Sequence, residues 1–221
     1  MTAPGAILFD MDGTLIDSEG LWLEAEISVM QGLGRAWTDE DQSFCLGGPL
    51  ERVVDYMIAK ADSPESSDDV GGRLLDEMEH KLRHSALSWR PGARALLFEA
   101  RERGIPTALV SASWNRLIDA VSEKIDEDLG RAAFDVVIAG DDVSMSKPHP
   151  EPYLTAAAAL GVDPASCMAL EDSPTGVASA VSAGCRVVAI PHIAEIAADG
   201  ALVVRSLDDW TLDTLWDALS A

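Results

Sequence analysis

Several short stretches of the chain are almost wholly apolar, and longer stretches between them repeat apolar residues every three or four positions. Ile7-Leu8-Phe9 has no polar alternation, the pattern of a strand buried on both faces of a parallel sheet. Similar runs predict strands at 106–110, 135–139, 167–170 and 186–190, with one more at 201–204. Helical periodicity separates them. One helix carries Ala95, Leu96, Leu97 and Phe98 and ends at Arg103-Gly104. Others span Trp114 to about Leu129, Pro150 to Leu160, Pro174 to Gly184, and roughly Leu207 to Leu219. This alternation implies right-handed crossovers and an α/β fold whose parallel sheet is sandwiched by helices.

Between the first strand and Arg90-Pro91-Gly92 the pattern is helical throughout. Asp17-Ser18 reads as an N-cap pair, with Glu19 in the first turn and Leu21, Trp22, Ala25 and Val29 on one face. Gly32 and Gly34 close that helix. Gly47-Gly48-Pro49 breaks the chain, and Pro49 suits the first turn of a helix carrying Val53, Val54, Met57 and Ile58. Residues 61–69 read as a polar loop, and a third helix carries Leu74, Leu75, Met78, Leu82 and Leu87. The organisation predicted is a core domain of residues 1–16 and 90–221 with an inserted helical domain at 17–89.

Composition narrows the function. The 221 residues are 48% hydrophobic, enough for a sizeable core, and no apolar run approaches a membrane span. Lys and Arg total 16 against 38 Asp and Glu, a formal charge of −22, which argues against a nucleic-acid partner. An anionic substrate would be repelled at long range, so a phosphate site must be locally positive. Cys45, Cys167 and Cys185 lack metal or disulfide spacing, and the amino terminus shows no signal peptide, so a reducing cytoplasm is expected. His80, His84, His149 and His192 have no metal-like spacing and receive no role.

Chemistry gathers just past the carboxyl ends of the strands, where open α/β sheets bind ligands. The first strand runs into Asp10-Met11-Asp12-Gly13-Thr14. Two carboxylates this close repel unless a cation intervenes. An EF-hand loop is excluded, because Gly13 is fourth from Asp10 and the twelfth residue is Leu21. Ser111-Ala112-Ser113 follows the second strand and is either an anion site or an ordinary helix cap. Lys147, framed by Pro148 and Pro150, is a point charge on a stiff loop. Leu170-Glu171-Asp172 again places two carboxylates at a strand end; Asp172 reads either as a helix cap or as a magnesium ligand.

Strand–DxDGT, strand–Ser, Lys-Pro and strand–Glu-Asp, in that order, resemble the four motifs of the haloacid dehalogenase superfamily. Asp10-Met11-Asp12-Gly13-Thr14-Leu15-Ile16-Asp17-Ser18-Glu19 with Leu21-Trp22 is similar to the beta-phosphoglucomutase and sugar-phosphate phosphatase branch, especially 2-deoxyglucose-6-phosphate and hexitol phosphatases. The resemblance implies a Rossmann-like core with an inserted helical cap. It implies a magnesium-dependent phosphatase acting on a small sugar or polyol phosphate. Asp10 would be the nucleophile and Asp12 the general acid and base. Asp10, the Asp12 carbonyl and Asp172 would hold Mg2+, with Glu171 beside them. Ser111, the Ala112 amide, Lys147 and Asn115 would hold the transferring oxygens. In the cap, Glu19, Trp22, Gly47 and Arg52 are the candidates for facing substrate, although Trp22 at helical spacing also suits the helix core and Gly47-Gly48 also suits a hinge. A monomer is expected.

The pattern departs from the mutases at two places. Trp22 stands where they carry a His, and Leu50, with Arg52 slightly further on, where they carry an Arg. Both losses favour plain hydrolysis, leaving phosphoglucomutase chemistry as the enzymatic rival and an idle binding protein as a further one. Asp12 disfavours dehalogenation, and a phosphonatase would need Lys60 or Lys81 as a Schiff-base lysine.

Overall fold

A computed structural model describes residues 3–46, 49–197 and 199–220. The chain divides into two compact units, one running up to Asp17 and resuming at Leu87, the other Ser18–Ala86.

The first unit is built on six parallel strands: β1 (Ala6–Phe9), β2 (Thr107–Val110), β3 (Val136–Ile138), β4 (Cys167–Glu171), β5 (Arg186–Ala189) and β6 (Ala201–Val203). Their order is β3-β2-β1-β4-β5-β6. Phe9 pairs with Leu109 on one side and Leu170 on the other. The order therefore reverses at β1, and the crevice outside the carboxyl ends of β1 and β4 is the switch point where such sheets take ligands. Every residue of β1, β2 and β4 is buried, which is why these strands are unbroken apolar runs.

Helices in this unit are α5 (Ala93–Glu102), α6 (Asn115–Leu129), α7 (Glu151–Leu160), α8 (Pro174–Ser182) and α9 (Leu212–Ala218). On one sheet face, Ala6, Leu8, Val110, Ala169 and Val187 pack with Tyr153, Ala156 and Ala157 of α7 and Val177 and Ala180 of α8. On β1 the alternate residue Phe9 meets Phe134 edge-on at 6.3 Å. The segments on either side of the second unit run together: Asp17 N donates to the Ser88 carbonyl, and Arg90 N to that of Leu15.

The second unit contains α1 (Glu19–Gly32), α2 (Asp39–Cys45), α3 (Leu50–Ala61) and α4 (Ser67–His84). Helix α4 packs on both α1 and α3. Three expectations about elements need correction, and one helix was not anticipated. Ser18 precedes α1 but its side chain makes no capping bond. Helix α2 has no apolar stripe to announce it; it starts through a reciprocal bond pair between Thr38 and Asp41. Ser66 caps α4 and draws Ser67–Asp69 into it, while Leu87 lies beyond its end. Helix α9 begins at Leu212, not Leu207, because Thr211 supplies the cap.

Candidate active site

The backbone of β1 carries its ladder one residue past Phe9, Asp10 N donating to the Leu170 carbonyl, and this fixes Asp10 against the end of β4. Asp10 is buried, Asp12 half-buried, Glu171 fully buried and Asp172 nearly so. Two glycines make this crowding possible. Gly13 turns at φ +80°, and a Cβ there would run into the Asp172 carboxylate. At Gly176, in the first turn of α8, a Cβ would collide with the Glu171 carboxylate.

Lys147 is the cation of the cluster, its side chain 5% exposed. Its Nζ donates to Asp10 Oδ1 at 2.7 Å, to Glu171 Oε1 at 2.6 Å and to the Val110 carbonyl at 2.8 Å. An ammonium has three donors, so all are committed. Burial alone would depress this lysine; Asp10 and Glu171 more than offset that and hold it above its ordinary value. Asp10, Glu171 and Asp172 offer oxygens within 4.8 Å of one another. One lysine does not neutralise them. Burial, then Asp10 and Glu171, push Asp172 up to about 9, and burial and Asp10 push Glu171 up as well. Asp10 Oδ2 is buried with no hydrogen-bond partner among the described residues. An all-oxygen, negative and incompletely paired donor set fits a hard divalent cation such as Mg2+.

The remaining predicted residues divide. Ser111 is buried at the end of β2, but it caps nothing: α6 starts at Asn115 with Trp114 in the cap position, and the Ser111 hydroxyl accepts the Ser113 amide at 3.0 Å. Ala112 is exposed, with Gly140 packed close to its carbonyl. The expectation that Asn115 helps hold transferring oxygens meets a competing role. Its side-chain amide donates to Asp141 at 3.2 Å and Asp142 at 2.9 Å, in the turn after β3. Glu19 and Trp22 are half-buried on α1. Arg52 on α3 donates to the carbonyls of Phe44 and Cys45 at the end of α2. Gly47 and Gly48 lie outside the described residues. Lys60 is paired with Asp41 and Lys81 with Glu24, so neither suits a Schiff-base role.

Sequence reasoning missed two contributors and a close neighbour. Ser113 Oγ donates to Asp12 Oδ2 at 2.8 Å. Tyr153, fully buried on α7, donates to Glu171 Oε1 at 2.6 Å. His192, after β5, has a buried Nδ1 that a Cβ on Gly13 would approach to 3.0 Å. For Ser113 the signal was present, since it belongs to the same strand-end triplet as Ser111. For Tyr153 no local pattern announces the contact, and none announces the place of His192.

Comparison with known proteins shows the family and the fold. The family model described as haloacid dehalogenase-like hydrolase matches residues 7–190. The chain is 36% identical to hexitol phosphatase B of Escherichia coli K12 over 84% of its own length and 83% of the relative's. It is 31% identical to a phosphorylated carbohydrates phosphatase of Thermotoga maritima, with 85% of each covered. Among solved structures, CbbY from Rhodobacter sphaeroides in complex with phosphate superposes with a TM-score of 0.82 at 27% identity, covering 96% of this chain and 99% of that one. With its four motifs brought to one sheet edge, the chain belongs to the haloacid dehalogenase-like hydrolases, in their beta-phosphoglucomutase-like branch.

Proposed function

We propose that this protein is a magnesium-dependent phosphatase that hydrolyses a small phosphorylated metabolite, a sugar or polyol phosphate, through an aspartyl-phosphate. The observation that carries the reading is a cluster of three carboxylates, Asp10, Glu171 and Asp172, in which one buried lysine pairs with Asp10 and Glu171 and Asp10 Oδ2 has no partner among the described residues. Asp10 attacks phosphorus as the bond to the sugar oxygen breaks, and Asp12 gives that oxygen its proton. Asp12 then takes a proton from the water that cleaves the aspartyl-phosphate, returning Asp10. The bond from Ser113 orients Asp12 for both transfers. Lys147 fixes Asp10 and contributes the local positive charge that a protein of net charge −22 otherwise lacks. Asp10, Asp172 and the Asp12 carbonyl would hold Mg2+, with Glu171 supporting them. When bound, the ion supplies charge that offsets the repulsion between carboxylate and phosphate.

The relatives acting on hexitol phosphates and phosphorylated carbohydrates support the substrate class. The helical block is proposed as a substrate-selecting cap, with Glu19, Trp22, Gly47 and Arg52 as its candidate contacts, in a monomeric cytoplasmic enzyme. Phosphate release across a panel of hexose and hexitol phosphates, with and without magnesium, tests the reading. Magnesium-dependent release from one or a few of them is the expected result. Isomerisation of beta-glucose 1-phosphate without release would replace it with a mutase.

A further inference from the structure

We propose that Tyr153 is a positioning residue of this site: its hydroxyl fixes the Glu171 carboxylate, and through it the place where Lys147 holds Asp10. The inference rests on the phosphatase reading and adds a residue to it. Tyr153 sits on α7, six positions after Lys147, and is fully buried in the core between α7 and the sheet. Its ring lies beneath the lysine, Nζ 5.2 Å from the ring centroid. The hydroxyl and the ammonium both donate to one atom, Glu171 Oε1, each at 2.6 Å. Among the described residues the other carboxylate oxygen receives only a longer bond, from Ser173 Oγ at 3.3 Å.

Phenylalanine would fill the same apolar space, so the bond to Glu171 is what the hydroxyl adds. A buried tyrosine hydroxyl takes a partner, and here the partner is part of the site. With both donors in place, Oε1 has its lone pairs filled and Glu171 holds one orientation. Without the hydroxyl, the carboxylate is free to turn toward Lys147 or Ser173 and draw Nζ away from Asp10 Oδ1. A displacement near 1 Å at a nucleophile is enough to cost rate.

The test compares Tyr153→Phe with Thr107→Val. The latter removes a buried hydroxyl, bonded to the Ala133 carbonyl at 2.6 Å, at the opposite end of β2. With p-nitrophenyl phosphate and magnesium, Tyr153→Phe is expected to lower kcat about 10- to 100-fold, the usual effect of losing an outer-shell partner, with KM nearly unchanged. The inhibition constant for orthovanadate should rise by about the same factor. Thr107→Val should lower the melting temperature at least as much and leave kcat unchanged. A kcat for Tyr153→Phe within twofold of wild type, or a loss no larger than that in Thr107→Val, overturns the proposal. Absence of turnover in the wild type would overturn the phosphatase reading alone. The side-chain nitrogen resonance of Lys147 in the resting protein then decides: it should shift or broaden in Tyr153→Phe, and an unchanged resonance overturns the positioning role.

Discussion

Each unit of this protein buries carboxylates against a lysine, and the two centres are built to opposite specifications. In the helical unit, Asp41 accepts from the Thr38 amide at 2.7 Å, the Thr38 hydroxyl at 2.6 Å and the Tyr56 hydroxyl at 2.6 Å, and it pairs with Lys60. Burial alone would raise this carboxyl, but Lys60, Thr38 and Tyr56 hold it far below the usual range. Its charge is matched one to one and both oxygens are occupied. At the sheet edge, three carboxylates cluster where a single lysine pairs with only two of them, Asp10 and Glu171; one oxygen has no partner among the described residues, and Asp172 is pushed up to about 9. The first centre is a finished structural joint that fastens the α2 cap to α3. The second is unfinished in charge and in hydrogen bonding, the condition expected of a site awaiting a cation and an anionic substrate. Burial of acidic residues does not separate the two. Satisfaction does.

Substitutions can break that contrast. The largest effect should come from Asp172→Asn, which removes a proposed Mg2+ ligand: turnover at fixed magnesium should fall on the order of a thousandfold, about 4 kcal/mol in the barrier. The variant should stay folded, because the group lost is one the protein already holds against repulsion. Rate measurements with a magnesium titration and a melting curve check both halves. Asp41→Asn should do the reverse. Loss of the charge facing Lys60 should cost roughly 2–4 kcal/mol of stability, read by denaturant unfolding, while the folded fraction keeps its turnover within about twofold.

A smaller effect is expected at Glu26, which is buried on α1 and accepts from Trp37 Nε1 at 3.1 Å. Burial, only partly offset by that bond, raises it to about 7. Between about 4.5 and 7 the folded state keeps a proton that the unfolded chain has released. Glu26 therefore supports stability fully at low pH and loses that support as the pH rises toward 7. Glu26→Gln should flatten the slope and gain on the order of 1–2 kcal/mol over wild type at pH 8. Unfolding curves at pH 5 and pH 8 decide it; equal slopes in both proteins would contradict the assignment.

The sheet was legible because strands buried on both faces leave unbroken apolar runs, and each motif could be placed at a strand end. What escaped depended on partners distant in sequence. Helix α2, with Asp39-Glu40-Asp41 at its start, is polar almost throughout, and it holds through Thr38, Tyr56 and Lys60. Only the family resemblance offers Asn115 as an anion ligand. The turn at 140–142 brings Asp141 and Asp142 to its amide, and no local pattern reveals that. Tyr153 escaped because its register on α7 relative to β4 exists only in the folded chain, and a tyrosine at helical spacing reads as core. It is core by its ring and part of the site by its hydroxyl.

The most direct test of the central claim is phosphate release by Asp10→Asn, with saturating sugar phosphate and magnesium, set beside the wild type. The substitution keeps the shape of the side chain but removes the nucleophilic carboxylate. The account predicts steady release by the wild type and a loss on the order of 10⁴-fold or more in the variant. Comparable release from both proteins would contradict it, because the partly satisfied carboxylate at the end of β1 would then not be the group that attacks phosphorus.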